Sequence, residues 1–186
     1  MKPDTTQISY LIYARVAGFA FLFYIAAGMT SMALPAGTGV TDVLSVLMSL
    51  SALALGVTLY ALTREQGAAL ALFALTCRVL EATAMGESAI FFAVGSTLFC
   101  WLLLQGRMIP VALAWLGILA SVLLVVILPL QLVGLLGGPT SWSASITWLI
   151  WLPMLVFEVV FAVWLLVKGV AVAAANPVAS RANALL

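Results

Sequence analysis

The chain has 186 residues, of which 66% are apolar and only 7% are charged, and its mean hydropathy is +1.28. Soluble domains carry roughly 25% charged residues, so this composition excludes a water-soluble globular protein and predicts one whose surface faces lipid. Seven basic and six acidic residues give a net charge of +1, which excludes the strongly basic face of a nucleic-acid-binding protein.

Six apolar stretches follow one another along the chain, and each is close to the roughly 20 residues that a transmembrane helix needs. They cover residues 11–33, 43–62, 68–85, 88–104, 109–133 and 145–167. The pattern predicts a single all-α domain over residues 1–186, a bundle of six transmembrane helices with a flexible tail over residues 169–186. An alternative interpretation joins the third and fourth stretches into a buried hairpin with one re-entrant arm.

Polar and turn-forming residues mark the ends of these helices. Thr41 and Asp42 are predicted to cap the second helix, and Pro110 suits the first turn of the fifth. The hydrophilic cluster at residues 63–67, the short link at 86–88 and the glycine-rich segment at 134–140 are predicted loops.

The basic residues predict how the bundle lies in the membrane. Six of them fall on one side of the predicted bundle: Lys2, Arg15, Arg64, Arg107, Lys168 and Arg181. The loops on the opposite side carry only Asp42 and Glu87. By the positive-inside rule, both termini are predicted to be cytoplasmic in a multi-pass protein of the cytoplasmic (inner) membrane.

Three ionisable residues lie where the bilayer should contain none. At the helical rise, Arg78 is roughly 16 Å and Glu158 roughly 15 Å from the inner boundary, near the middle of a core about 30 Å thick. Glu81 follows Arg78 by three residues and shares its helix face. Because an unpaired charge there costs about 2.5–3.5 kcal/mol or more, we predict that Arg78 bridges both carboxylates and that the third and sixth helices lie side by side.

Two interpretations of this cluster remain open. It can be a structural ion pair that fixes helix register, or it can be a polar cavity or proton-linked site. One arginine against two carboxylates leaves an extra acid, so either one carboxyl is protonated or a cation or a ligand's basic group completes the site. Pro153 adds a predicted kink beside Glu158, because it cannot donate to the carbonyl of Leu149.

Nothing in the sequence favours an enzyme. Histidine is absent, which excludes imidazole metal sites and His-dependent catalytic pairs. Cys77 and Cys100 lie in apolar runs without metal-ligand spacing. We therefore predict no catalytic residue, no metal and no cofactor.

Several short phrases together resemble one protein family. These are ARVAG at residues 14–18, RVLEA at 78–82, GRMIP at 106–110, WLG at 115–117 and WLLVKG at 164–169. In this order they resemble the domain-of-unknown-function 4386 family, bacterial multi-pass membrane proteins without an assigned activity. The resemblance implies a helical bundle, and it marks as motif positions Arg15, Arg78, Glu81, Glu158 and Lys168. Val111 departs from the pattern, because an arginine commonly follows the helix-leading proline in that family.

These features of the sequence support two functional hypotheses. The first is a protein that binds or carries a small amphiphile or ion at the cluster of Arg78, Glu81 and Glu158, with Arg15, Pro153 and Lys168 in support. The second is a non-catalytic accessory or sensory subunit that packs against another membrane protein. In both cases the lipid bilayer is the predicted surrounding, and no nucleic-acid partner is expected.

Overall fold

A computed structural model of the chain describes residues 5–83, 88–136 and 145–171. The described residues form six helices and no strand, as predicted. The helices are α1 (Thr5–Ala33), α2 (Gly39–Thr63), α3 (Ala68–Thr83), α4 (Ser88–Gln105), α5 (Val111–Leu132) and α6 (Ser145–Val167). The predicted link at residues 86–88 and the predicted tail lie largely outside the described residues, as do Lys2, Glu87 and Arg181.

Five of the described helices are long and apolar enough to cross a membrane, namely all except α3. The 16 residues of α3 give a length of about 24 Å, so its role as a sixth span remains a prediction. Many large apolar side chains are exposed on the outside of the described helices, among them Phe19, Phe73 and Leu119. Large exposed apolar surfaces suit contact with lipid rather than with water.

The start of α2 corrects one prediction. Its N-cap is Thr38, whose hydroxyl accepts a hydrogen bond from the backbone N–H of Thr41, while the Thr41 hydroxyl accepts one from the backbone N–H of Thr38. Thr41 is therefore the third helical residue of a capping box, and Asp42 lies inside the first turn. The prediction that Thr41 or Asp42 caps this helix was wrong, because the turn at Gly37 ends earlier than the apolar pattern suggested.

The six helices form a closed ring in chain order. Each helix packs against the next one, and α6 returns to pack against α1. Among the described residues, α3 packs between α2 and α4 and makes no direct helix contact with α6. The prediction that the third and sixth helices lie side by side was wrong: short connections place consecutive helices together, so α3 and α6 face each other across the ring.

Glycines allow the closest helix contacts. A Cβ atom on Gly18 of α1 would lie 2.7 Å from the backbone oxygen of Ala162 on α6. A Cβ atom on Gly117 of α5 would lie 2.6 Å from both the Cys100 sulfur and the Phe157 ring. Such distances are shorter than van der Waals contact, so a larger residue at Gly18 would displace the α6 backbone, and one at Gly117 would displace the side chains of Cys100 and Phe157.

One end of the bundle gathers the described basic loop residues. Arg64, Arg107 and Lys168 are exposed at this end, which we call the basic end. Here the backbone N–H of Ala171 donates to the carbonyl of Met108 at 2.9 Å. The structure thus brings these three predicted inner-side residues to the same end of the bundle.

Gly18 and Gly28 of α1 provide a matched test of the α1–α6 contact. We expect Gly18→Ala to lower the free energy of unfolding by about 1–3 kcal/mol, because the new methyl group collides with the α6 backbone. Gly28→Ala should have little effect, since its Cβ would meet only the Met48 methyl group, at 3.4 Å. Thermal unfolding of both variants in detergent measures the difference, and equal stability of the two would contradict the tight contact.

Candidate functional site

Arg78 of α3 points into the ring and is 1% exposed. Its aliphatic stem passes between two glycines on the neighbouring helices. A Cβ atom on Gly56 of α2 would lie 2.9 Å from the Arg78 Cβ, and one on Gly95 of α4 would lie 3.9 Å from the Arg78 Cγ. Small residues on both sides therefore give the arginine room to enter the interior of the bundle.

The guanidinium group of Arg78 has partners on its own helix and on α4. Its Nη1 donates to Oε2 of Glu81 at 2.7 Å in a buried ion pair, and its Nη2 donates to the Ser96 hydroxyl at 3.1 Å. Its Cζ lies 4.8 Å from the centre of the Phe92 ring, within the range of a cation–π interaction. The charge is thus held by one carboxylate, one hydroxyl and one aromatic face.

Both carboxylate oxygens of Glu81 are engaged. Oε2 accepts the bond from Arg78, and Oε1 accepts a hydrogen bond from the Tyr24 hydroxyl at 3.2 Å. The tyrosine comes from α1 and reaches the carboxylate across the interior of the ring. Arg78, Glu81, Ser96 and Tyr24 therefore form a connected polar network, which a low-dielectric interior strengthens.

Glu158 of α6 faces this network from the opposite side of the ring. It is 6% exposed, and its Oε1 is buried without a hydrogen-bond partner among the described residues. It lies close enough to Arg78 and Glu81 to interact with both electrostatically. However, no ion pair joins Arg78 to Glu158 in the described parts of the chain.

Arg78 was predicted to bridge both carboxylates. The contact with Glu81 is confirmed, and the contact with Glu158 was wrong. The pair with Glu81 forms because residues three apart share a helix face. The contact with Glu158 does not form, since Nη2 of Arg78 donates to Ser96 on the adjacent helix α4 while Glu158 lies across the ring.

A cavity of about 430 Å³ lies above the polar network, in the half of the bundle away from the basic end. Its lining comes from α1, α2, α3, α4 and α6 and is mostly apolar or aromatic. The lining residues are Tyr24, Ile25, Gly28, Met29, Met32, Met48, Glu81, Ser88, Ala89, Phe92, Trp148, Trp151, Leu152, Leu155 and Glu158. Glu81 and Glu158 bring two carboxylates to an otherwise apolar space.

The half of the bundle nearer the basic end is filled. Large apolar side chains that are almost fully buried occupy its interior, among them Leu59, Leu62, Phe99, Leu103, Phe161 and Leu165. The rings of Phe157 and Phe161, which lie before and after Glu158 on α6, stack with their centres 5.3 Å apart. The cavity therefore ends near the level of Glu158 and does not continue as a channel through the described part of the bundle.

Comparison with known proteins gives one match. Residues 84–169 match the family model described as Domain of unknown function (DUF4386). This match supports the predicted family assignment over that part of the chain. No curated protein and no solved structure matches the chain.

The DUF4386 match includes Glu158 and the phrases at residues 106–110 and 164–169, whereas Arg78 and Glu81 precede it. Of the supporting residues predicted for the site, Pro153 lies within α6 and is half-buried. Arg15 and Lys168 are exposed, and neither lines the cavity. The structure thus brings Arg78, Glu81 and Glu158 to one interior region and leaves Arg15 and Lys168 outside it.

Tyr24 and Phe92 belong to the site but were not singled out from the sequence. A phenol in an apolar membrane helix is a weak signal, because tyrosine also occurs on lipid-facing surfaces. Phe92 is one of nine phenylalanines, and only its ring position over the guanidinium distinguishes it. Both residues could be found only once the neighbours of each helix were known.

The contacts predict different costs for removing each charge of the cluster. We expect Arg78→Met to lower the free energy of unfolding by roughly 3–5 kcal/mol, because it leaves Glu81 as an uncompensated buried acid. Glu158→Gln should have no cost or should stabilise the protein, since Oε1 loses no hydrogen bond. Thermal unfolding in detergent compares the two variants.

A double variant separates charge pairing from simple packing loss. Arg78→Met/Glu81→Gln should recover most of the stability that Arg78→Met alone loses, because neither buried charge of the pair remains. A double variant no more stable than Arg78→Met would show that the ion pair does not account for the effect.

Proposed function

We propose that this membrane protein, which resembles the DUF4386 family, binds a small amphiphilic molecule in the cavity lined by α1, α2, α3, α4 and α6. The observation that carries the proposal is the cavity itself, about 430 Å³ of space with Glu158 at its inner limit. Ligand pockets in proteins have volumes of roughly 300–1,000 Å³, with mostly apolar walls and a few placed polar groups. The cavity fits this description in both size and lining.

The distribution of side chains supports an oriented ligand. Met29, Met32 and Met48 line the cavity beside α1 and α2, and unbranched methionines adapt their shape to varied apolar groups. The carboxylates of Glu81 and Glu158 lie at the level of the polar network. We therefore propose that an apolar tail contacts the methionines while a polar head reaches the carboxylates.

The filled half of the bundle supports binding rather than an open channel. A molecule in the cavity would meet Phe157 and the packed side chains beyond it before it reached the basic end. Movement of a ligand across the whole bundle would require these side chains to separate. The proposed function is accordingly a binding site that is accessible from the half of the bundle away from the basic end.

The orientation is part of the proposal. The gathering of Arg64, Arg107 and Lys168 at one end supports a cytoplasmic location for that end under the positive-inside rule. Both termini would then be cytoplasmic in a bacterial inner membrane. The cavity would lie in the outer half of the bilayer.

Cysteine labelling tests this orientation. In a background with Cys77→Ala and Cys100→Ala, we expect Ala36→Cys to react with a membrane-impermeant maleimide in intact cells. Gln105→Cys should react only after permeabilisation, because it is exposed at the opposite end of the bundle. Labelling of Gln105→Cys alone in intact cells would reverse the proposed orientation.

Filling the cavity tests the binding proposal. Bromine quenches tryptophan fluorescence at short range, and Trp148 and Trp151 line the cavity. In nanodiscs, we expect ω-bromo-octanol to quench the native protein with a saturable component above the linear effect of its partition into lipid. Gly28→Leu should remove that component by occupying the cavity.

Gly28→Ala is the matched control, because its methyl group would meet only Met48 and leaves most of the space open. This variant should retain saturable quenching. Equal saturable quenching of Gly28→Leu and Gly28→Ala, or none in the native protein, would contradict binding in the cavity.

A further inference from the structure

We infer that the head group of the cavity's ligand is a protonated amine and that Glu158 is its counter-ion. This inference rests on the proposed function, since it names the chemical class that the same cavity binds. Two observations carry it: the unpartnered buried oxygen of Glu158, and a cavity lining that contains two carboxylates and no basic side chain.

With Glu158 ionised, the charges of the cluster do not balance without a further cation. Arg78 and Glu81 neutralise each other in a 2.7 Å ion pair. Glu158 is then left as an acid in the interior of the bundle, with Oε1 buried and without a hydrogen-bond partner among the described residues. A monovalent cation beside it would make the total charge of the cluster and the cation zero. A cation that carries N–H groups would also donate the hydrogen bond that Oε1 of Glu158 lacks.

Glu158 suits an incoming donor better than Glu81 does. Glu81 already accepts one hydrogen bond at each oxygen, from Arg78 and from Tyr24. A ligand that paired with Glu81 would have to compete with an existing ion pair, whereas one that paired with Glu158 would compete with no hydrogen bond at Oε1.

An anionic head group fits the cavity poorly. The cavity lining contains two carboxylates and no basic side chain. Arg78 directs its Nη1 and Nη2 to Glu81 and Ser96, and its stem is held between Gly56 and Gly95. A carboxylate or phosphate in the cavity would therefore meet two acids and no basic side chain of the lining.

An organic cation fits better than a metal ion. Calcium takes six to eight oxygen ligands, but in the described residues no group of three or more His, Cys, Asp or Glu comes together. The cavity instead presents the aromatic rings of Phe92 and Trp151, whose centres lie 5.7 Å apart. Aromatic faces attract organic cations, and a primary ammonium group also supplies N–H donors to Glu158.

Three probes of equal length test the charge of the head group: ω-bromo-octylamine, ω-bromo-octanol and ω-bromo-octanoate, measured by tryptophan quenching in nanodiscs. We expect the amine to bind the native protein roughly tenfold to a hundredfold more tightly than the alcohol, the range of a hydrogen bond to a charged group. The octanoate should bind more weakly than the alcohol. Equal affinities for all three probes would overturn the inference.

Substitutions at Glu158 test the counter-ion. Glu158→Gln should reduce amine affinity to that of the alcohol and leave alcohol affinity unchanged, while Glu158→Asp should retain part of the preference for the amine. Glu65→Gln is the control for general attraction of amines to acidic surfaces, because Glu65 is exposed near the basic end. A preference for the amine that persists in folded Glu158→Gln would contradict the assignment, and the native probe series decides the matter if that variant does not fold.

The two proposals fail in different ways. If all three probes bind equally and Gly28→Leu blocks each of them, the cavity binds amphiphiles but does not select amines. If no probe gives saturable quenching, or if Gly28→Leu changes none of them, the proposed binding function itself is wrong.

Discussion

The burial of one guanidinium group determines the arrangement of the interior. A charged side chain in an apolar interior is stable only when protein groups replace its water, and the surroundings of Arg78 provide hydrogen-bond acceptors for its Nη1 and Nη2. Gly56 and Gly95 leave space for its stem, Glu81 balances its charge, and Ser96 accepts a second hydrogen bond. Helices α2 and α4 can approach α3 closely because both carry glycine at this level. The close packing of α2, α3 and α4 and the burial of the Arg78 charge therefore depend on the same two glycines.

Depth along the helix axis was predictable from the sequence, but direction around the ring was not. Counting residues at the helical rise placed Arg78 and Glu158 at similar depth, and the three-residue spacing predicted the pair with Glu81, which the structure contains. Which helix each side chain would face depends on the order of the helices around the ring, and periodicity carries no information on that order. The third and sixth helices were wrongly predicted to lie side by side because this order was unknown. Ser96 occupies the place that was predicted for Glu158, because α4 follows α3 in the chain and packs beside it.

The two halves of the ring differ because of the size of the side chains that point inward. Toward the basic end, leucine and phenylalanine fill the interior, and the stacked pair of Phe157 and Phe161 closes the space beside Glu158. Toward the other end, Gly28 and Ala89 contribute little volume, and three flexible methionines are among the side chains that line the space. Helix boundaries and apolar content are similar in the two halves, so hydropathy alone could not reveal this difference. The difference between the two halves arises because the small residues Gly28 and Ala89 lie at the same level of the ring.

The two interpretations of the charged cluster apply to different residues. A structural ion pair accounts for the charges of Arg78 and Glu81, because each neutralises the other and the Tyr24 hydroxyl donates to the remaining oxygen of Glu81. The same interpretation does not account for Glu158, which adds a second acid to an interior where burial of an unpaired charge is costly and forms no ion pair with the arginine in the described structure. An apolar residue of similar size would fill its place on α6 at lower cost. An ionised carboxylate on the wall of a cavity gains stability when something positive enters that cavity, so the proposed binding role belongs to Glu158, whereas Arg78 and Glu81 stabilise each other.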